Sequence, residues 1–263
     1  MSAFETSVSE VGDGVVNLRG YSLGDVMTSL SYTEGAFLSI FGRLPATGER
    51  VILDAVLNSL LDHGFVASTV SAARFIASGN PQLVPAVAGG LLACGSNTVS
   101  PQHSFEVLDQ AEELRVAHGL TCAEAAEQIV DRYLSAGRRM PGFGHPTHKK
   151  SDFRADLLFA VARERGIAGP GVEQFTELHR AFTARTGKRL PINIDGAMAA
   201  VAKDLGWSAE QVVALAMISV LPGLIGHVIE ELHNGKPLRH ITDGTYTGEP
   251  IRSLPGRNGG GKR

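Results

Sequence analysis

Val51-Ile52-Leu53-Asp54-Ala55-Val56-Leu57-Asn58-Ser59-Leu60-Leu61 decides what kind of fold this chain makes. Val51, Ile52, Ala55, Val56, Leu60 and Leu61 return at helical intervals, which draws one apolar stripe along a helix from about residue 46 to residue 63. Val66, Val70, Ala73 and Ala77 draw a second stripe, and similar ones run over 105–117 and 157–165. Period-two alternation is confined to short pieces such as Gly14-Val15-Val16-Asn17-Leu18. The punctuation agrees: Thr121-Cys-Ala-Glu124 and Ser208-Ala-Glu210-Gln211 read as helix N-caps, while Gly119, Gly137, Gly187 and Gly206 stand where helices stop. The expectation is an all-α chain. The glycine-rich end, Gly256 to Arg263, is expected to be disordered.

A chain of 263 residues has room for one large domain or two unequal ones, with a core that needs neither disulfides nor metals. Its 24 Lys and Arg against 27 Asp and Glu are scattered, apart from Arg138-Arg139 and Lys149-Lys150, which argues against nucleic acid as a partner. Two cysteines, Cys94 and Cys122, support neither a disulfide framework nor a thiolate metal cluster, and a reducing, cytoplasmic location is expected. The first ten residues lack the basic and apolar regions of a secretory signal. No run approaches 18 uninterrupted apolar residues, so no membrane partner is expected.

Four segments carry polar residues too specific for a helical core: Asp62-His63 to Thr69, Gly142 to Arg154, Pro191-Ile-Asn-Ile-Asp195-Gly196, and Gly223 to His227 with Arg239 and Tyr246 beyond. His145 follows two glycines, where backbone approaches a ligand closely, and Lys149, Lys150 and Arg154 supply charge to hold an acid or phosphate. His145 and His148, three apart, invite a metal, yet no neighbouring cysteine or acidic ligand completes a set, so none is expected. Gly142-Phe-Gly144 lacks the third glycine and preceding strand of a dinucleotide fingerprint. Taken alone, Asp195 reads as an N-cap before Gly196-Ala-Met-Ala-Ala, His63 as a residue at a helix C-terminus, and Lys149-Lys150 as a solvated pair. His227 reads equally as a core hydrogen-bonding group and as a site residue.

The order of these segments resembles the citrate synthase superfamily, whose subunits carry a DHxxNAST-like segment, a GFGH-then-DxRA segment and a PNVD-like segment in sequence. Leu18-Arg19-Gly20-Tyr21 with Thr33-Glu34 and Phe41-Gly42-Arg43-Leu44-Pro45 resembles that family's opening, so the likeness runs from about residue 18 to residue 250. Gly223 to His227, Arg239-His240, Tyr246 and the short length are most similar to the lyase module at the C-terminus of ATP-citrate lyase and its free-standing relative, citryl-CoA lyase. The resemblance implies a large helical domain, 1–104 with 206–263, and a smaller inserted one, 105–205. It also implies homodimers or higher homo-oligomers with the site in the interdomain cleft, and Arg239 is the candidate for a residue supplied across the dimer.

The same resemblance implies roles. His145 would hydrogen-bond the carbonyl of oxaloacetate or the hydroxyl of citryl-CoA, and Asp195 would exchange a proton with the acetyl carbon. His63, Arg154 and Arg239 would hold the acid; Lys149 would lie near CoA phosphate, with Gly142, Phe143 and Gly144 along the cofactor. The chemistry needs such groups in any case. Breaking a carbon–carbon bond beside a thioester passes through an enolate, so a carboxylate must move a proton at carbon while a donor stabilises charge on oxygen. Guanidinium forks suit carboxylates. No permanently bound cofactor is expected, a CoA thioester being the substrate.

Three departures bear on the substrate. Ser96-Asn97-Thr98-Val99-Ser100-Pro101 stands in place of an HGGA-like turn, with Asn97 or Thr98 where a histidine would polarise the thioester. Val220 and Pro146 stand where arginine is usual. A lost charged hydrogen bond costs about 1.5–3 kcal/mol. The leading expectation is therefore an acyl-CoA lyase that cleaves citryl-CoA or a related 3-hydroxyacyl-CoA to acetyl-CoA and a keto acid. The alternatives are a condensing enzyme or lyase for another acyl-CoA and keto acid, or a weakened CoA-binding subunit that pairs with an active relative.

Overall fold

The Val51–Leu61 stripe folds as expected into a helix, α3 (Thr47–Ser59), which buries Ile52, Leu53 and Val56. It stops before Asp62 and His63, so both leave the helix and His63 opens a short 3-10 turn, Gly64–Val66. The computed structural model describes residues 4–254, and the expected disordered tail lies outside them. Ahead of α3 come a small antiparallel meander, β1 (Ser9–Gly12), β2 (Val15–Leu18) and β3 (Tyr21–Ser22), then α1 (Leu23–Ser29) and α2 (Tyr32–Phe41). The longer elements described after it are all helices: α4 (Ser68–Gly79), α5 (Leu83–Leu91), α6 (Pro101–His118), α7 (Cys122–Ser135), α8 (Phe153–Glu164), α9 (Pro170–Thr186), α10 (Ile194–Asp204) and α11 (Ala209–Asn234). The expected capping boxes form at Thr121 and Ser208, where each side chain accepts the third backbone N–H and Glu124 or Gln211 reaches back.

Two helices organise the rest. Helix α10 is apolar all round and nearly every residue from Gly196 to Ala202 is buried, so α6, α8 and α9 surround it. Its alanines keep those neighbours close. Helix α11 packs on α3, α4, α5 and α6. By length and apolar composition it is the one described helix able to cross a bilayer, yet here it serves as a packing axis that buries Val212, Leu215, Leu224 and Val228. One apolar cluster runs from α2 and α3 through α6–α10 to Ala216, and a second joins α4, α5 and the far half of α11. Each large side chain fully buried there, such as Phe37, Phe175 or Leu215, contributes about 1.5–3 kcal/mol.

Gly223 marks where α11 meets the end of α3. A Cβ at that position would overlap the Leu61 carbonyl oxygen and lie 2.9 Å from the Asp62 Cβ. Only glycine allows this approach, and it places Asp62 and His63 beside α11.

Candidate active site

The first turn of α10 collects three loops. Phe143 and Ile192 form an isolated antiparallel bridge, with the Gly144 N–H donating to the Pro191 carbonyl at 2.8 Å and the Asn193 N–H to the Gly142 carbonyl at 2.9 Å. Asn193 completes the join by donating from Nδ2 to the Gly144 carbonyl at 2.9 Å, while its Oδ1 accepts the Gly196 N–H. The N-cap of α10 is thus Asn193, not Asp195. Asp195 lies inside the first turn, released from the local capping role that its sequence context alone suggests.

Gly142 is required by contact. Its φ is +79°, and a Cβ would overlap Phe175 and approach Ser104 Oγ to 2.8 Å and the Gly196 Cα to 3.0 Å. Phe143 turns inward as well, its ring against Phe175, Phe182 and His179. Both residues were expected along the cofactor. In the single chain Gly142 lets the loop close on α9 and α10, Phe143 packs its ring on α9, and of the three only Gly144 lines the cleft.

The second loop carries Arg154. Its guanidinium donates twice to Asp152, Nε to Oδ1 and Nη2 to Oδ2, both at 2.8 Å. Asp152 is fully buried; it caps α8 and accepts the Ile194 N–H at 3.1 Å. Although burial opposes ionisation, the guanidinium and the backbone N–H groups hold this carboxyl below the usual range. Sequence reading overlooked Asp152, and its signal was the acidic position of the D-x-R-A pattern itself.

His145 sits in a defined tautomer. The N–H groups of Thr147 and His148 both point at its Nδ1, at 3.0 Å each, so Nδ1 accepts and Nε2 carries the proton. Burial, then the charge of Arg154 and the neighbouring histidines, pushes its pKa down to about 4. A neutral imidazole that offers Nε2–H is therefore the form present near neutral pH. His63 is shifted down by the same causes, and its ring centroid is 4.8 Å from that of His145.

The third loop is the 96–101 turn. Gly95 and Thr98 pair across Ser96-Asn97, and Val99 follows with φ +53°, a left-handed conformation rare for a β-branched residue. That twist aims the Ser100 N–H at Asp195 Oδ2, 3.3 Å away. Burial raises the Asp195 pKa, against the pull of Ser100 N–H and Arg154. A carboxyl raised in this way is better matched to proton transfer at carbon.

These loops line a cleft of about 410 Å³ that holds His63, Asn97, Thr98, Gly144, His145, Arg154 and Asp195. Leu60, Val66, Val70, Val220 and Leu224 supply its apolar lining. Two expected residues lie elsewhere in the single chain. Lys149 is exposed, outside the lining, and Arg239 donates from Nε and Nη2 to the buried Glu231, which also receives Arg74. His227 reaches Asp62 through Nε2 at 3.0 Å, so it braces the His63 turn.

A family model described as the C-terminal domain of citrate synthase matches residues 47–241. Citryl-CoA lyase from Hydrogenobacter thermophilus is similar end to end, with a TM-score of 0.86 and 31% identity over 97% of this chain and 98% of that one. ATP citrate lyase from Methanosaeta concilii, solved with (3S)-citryl-CoA, shares the fold at a TM-score of 0.79 and 23% identity, covering 95% of this chain and 42% of its own. Citrate synthase of Corynebacterium glutamicum is 26% identical over 208 residues, 77% of this chain and 47% of its own length. The chain spans about half the length of that relative.

Proposed function

We propose, from the premise that this chain belongs to the citrate synthase family, that it is an acyl-CoA lyase that cleaves citryl-CoA to acetyl-CoA and oxaloacetate. The observation that carries the reading is the end-to-end likeness to citryl-CoA lyase at a TM-score of 0.86 and 31% identity, whereas citrate synthase from Thermotoga maritima, matched over 96% of its own chain, shares the fold at a TM-score of only 0.62 and 18% identity. In the proposed step the hydroxyl of the substrate releases its proton to solvent, from which Asp195 later recovers one, and the resulting alkoxide becomes a carbonyl. The pair of the breaking carbon–carbon bond moves into the thioester as an enolate, and the carboxyl of Asp195 protonates the enolate carbon. The neutral His145 Nε2–H donates to the oxygen that becomes the ketone, where negative charge peaks.

His63 and Arg154 are assigned to the acid, and Asn97 or Thr98 to the thioester oxygen, which a neutral donor can hold without titrating. Lys149 is assigned to CoA phosphate and Arg239 to the site of a neighbouring protomer in a homodimer. The reading includes division into a large domain, 1–104 with 206–263, and an inserted one, 105–205, whose closure would exclude water from the enolate. A cytoplasmic setting belongs to the same reading. Incubation of the purified protein with citryl-CoA is expected to release acetyl-CoA and oxaloacetate in equal amounts; intact citryl-CoA after prolonged incubation sinks the assignment.

One observation favours a second substrate. Val220 belongs to the apolar wall of the cleft, so an acid with one carboxylate fewer than citrate would fit it. Comparing kcat/KM across 3-hydroxyacyl-CoA thioesters that differ in that substituent decides between the two.

A further inference from the structure

His63, His145 and His148 present one imidazole nitrogen each within 4.8 Å of one another, although they come from two separate loops. The ring centroids stand 4.8, 5.2 and 4.5 Å apart. Nε2 of His63 and Nε2 of His148 are buried and have no hydrogen-bond partner, a condition that protein interiors rarely leave unexplained. Nδ1 of His145 is occupied by two backbone N–H groups, so Nε2 is the nitrogen it has to offer. The sequence showed only two members of this set, and the fold brings in the third.

We propose that these three imidazoles form a binding site for a borderline divalent cation, with Zn²⁺ as the reference ion, and that metal and acyl-CoA substrate exclude one another there. Three imidazole nitrogens with an open fourth position match the donor set such ions prefer. Zn–N bonds of about 2.0–2.1 Å place tetrahedral nitrogens about 3.4 Å apart, so binding draws together nitrogens that now lie within 4.8 Å of one another. Arg154, the guanidinium whose charge reaches the cluster, is paired with Asp152 at 2.8 Å, which offsets part of its repulsion of a cation. Ions can approach from two sides, because His63 lines the cleft and also a neighbouring cavity of about 550 Å³ that is lined by His148. Exclusion follows because His63 and His145 also line the substrate cleft; this part rests on the lyase reading, whereas binding does not.

Calorimetric titration of the full chain with Zn²⁺ is expected to give one site per chain, and Co²⁺ should produce the intense visible bands of a four-coordinate ion. His148→Gln and His63→Gln should each weaken Zn²⁺ at least about tenfold, while His118→Gln, on an exposed helix end, should not. Thermal unfolding of the same samples confirms that each variant is folded. Zn²⁺ should also raise KM for citryl-CoA more than it lowers kcat. Absence of a stoichiometric site, or equal binding by the folded His148→Gln variant, overturns the proposal even if citryl-CoA is cleaved. Binding without any citryl-CoA cleavage leaves the site standing and overturns the lyase reading instead.

Discussion

The side of the cleft made by Gly144, His145, Arg154, Asn193 and Asp195 is held by polar contacts, whereas its apolar lining, Leu60, Val70, Val220 and Leu224, is held by burial and packing against the core. On the polar wall nearly every group is committed to another. Asn193 binds both Gly142 and Gly144, Asp152 binds Arg154 and Ile194, and Ser100 binds Asp195. Removing one member leaves another buried without a partner, so errors there are expensive. On the apolar wall the contacts are non-directional, and a change of side chain alters volume and polarity without orphaning a neighbour. The polar wall suits chemistry, and the apolar one suits adjustment of substrate.

The largest expected effect lies on the polar wall. Asp195→Asn should lower kcat for citryl-CoA cleavage by roughly 10²–10⁴, the usual contribution of a positioned acid or base, with melting temperature little changed. Turnover at the parent rate would remove Asp195 from the chemistry. Next, Asp152→Ala should destabilise the fold by about 3–5 kcal/mol in urea titration, because it strands the buried Arg154 charge. A loss below about 1 kcal/mol would mean the ion pair is dispensable and would erase the contrast between the walls.

Val220→Arg tests the apolar wall. If the acid half of citryl-CoA faces it, an added guanidinium should lower KM about tenfold, near the low end for a charged hydrogen bond. A higher KM assigns that wall to an apolar group and favours the second substrate reading. The smallest effect is a slope. His145 has an ordinary value of 6.5 in the unfolded chain and about 4 when folded, so between those values the unfolded chain binds more protons. Stability therefore falls as pH drops through that window, and His145→Gln should lose less stability over it than the parent. Equal slopes would show that the imidazole is not desolvated by the polar wall.

Much of the fold was legible because it depends on periodicity. The stripes at 51–61 and 66–77, the capping boxes at Thr121 and Ser208 and the left-handed glycines at 119, 137, 187 and 206 are local signals, and each emerged close to where it was read. What local sequence leaves open is direction. Asp195 looks like a cap because it precedes an alanine run, but the cap depends on where the 142–144 loop docks, and that selects Asn193. Gly142 and Phe143 stand beside His145 in sequence, and only the fold shows that Gly142 closes on Phe175 and Gly196 while the Phe143 ring packs on α9.

By itself the sequence determined the helical class, the family motifs and the residue types able to perform enolate chemistry, since these are written in spacing and side-chain identity. Only the tertiary structure decided the protonation and grouping of those residues. The His145 tautomer depends on two converging N–H groups, the upward Asp195 shift on burial that outweighs the Ser100 N–H presented by the Val99 turn, and the three-histidine cluster on loops distant in the chain. Periodicity is a property of neighbours along the chain, whereas desolvation and partnership are properties of neighbours in space.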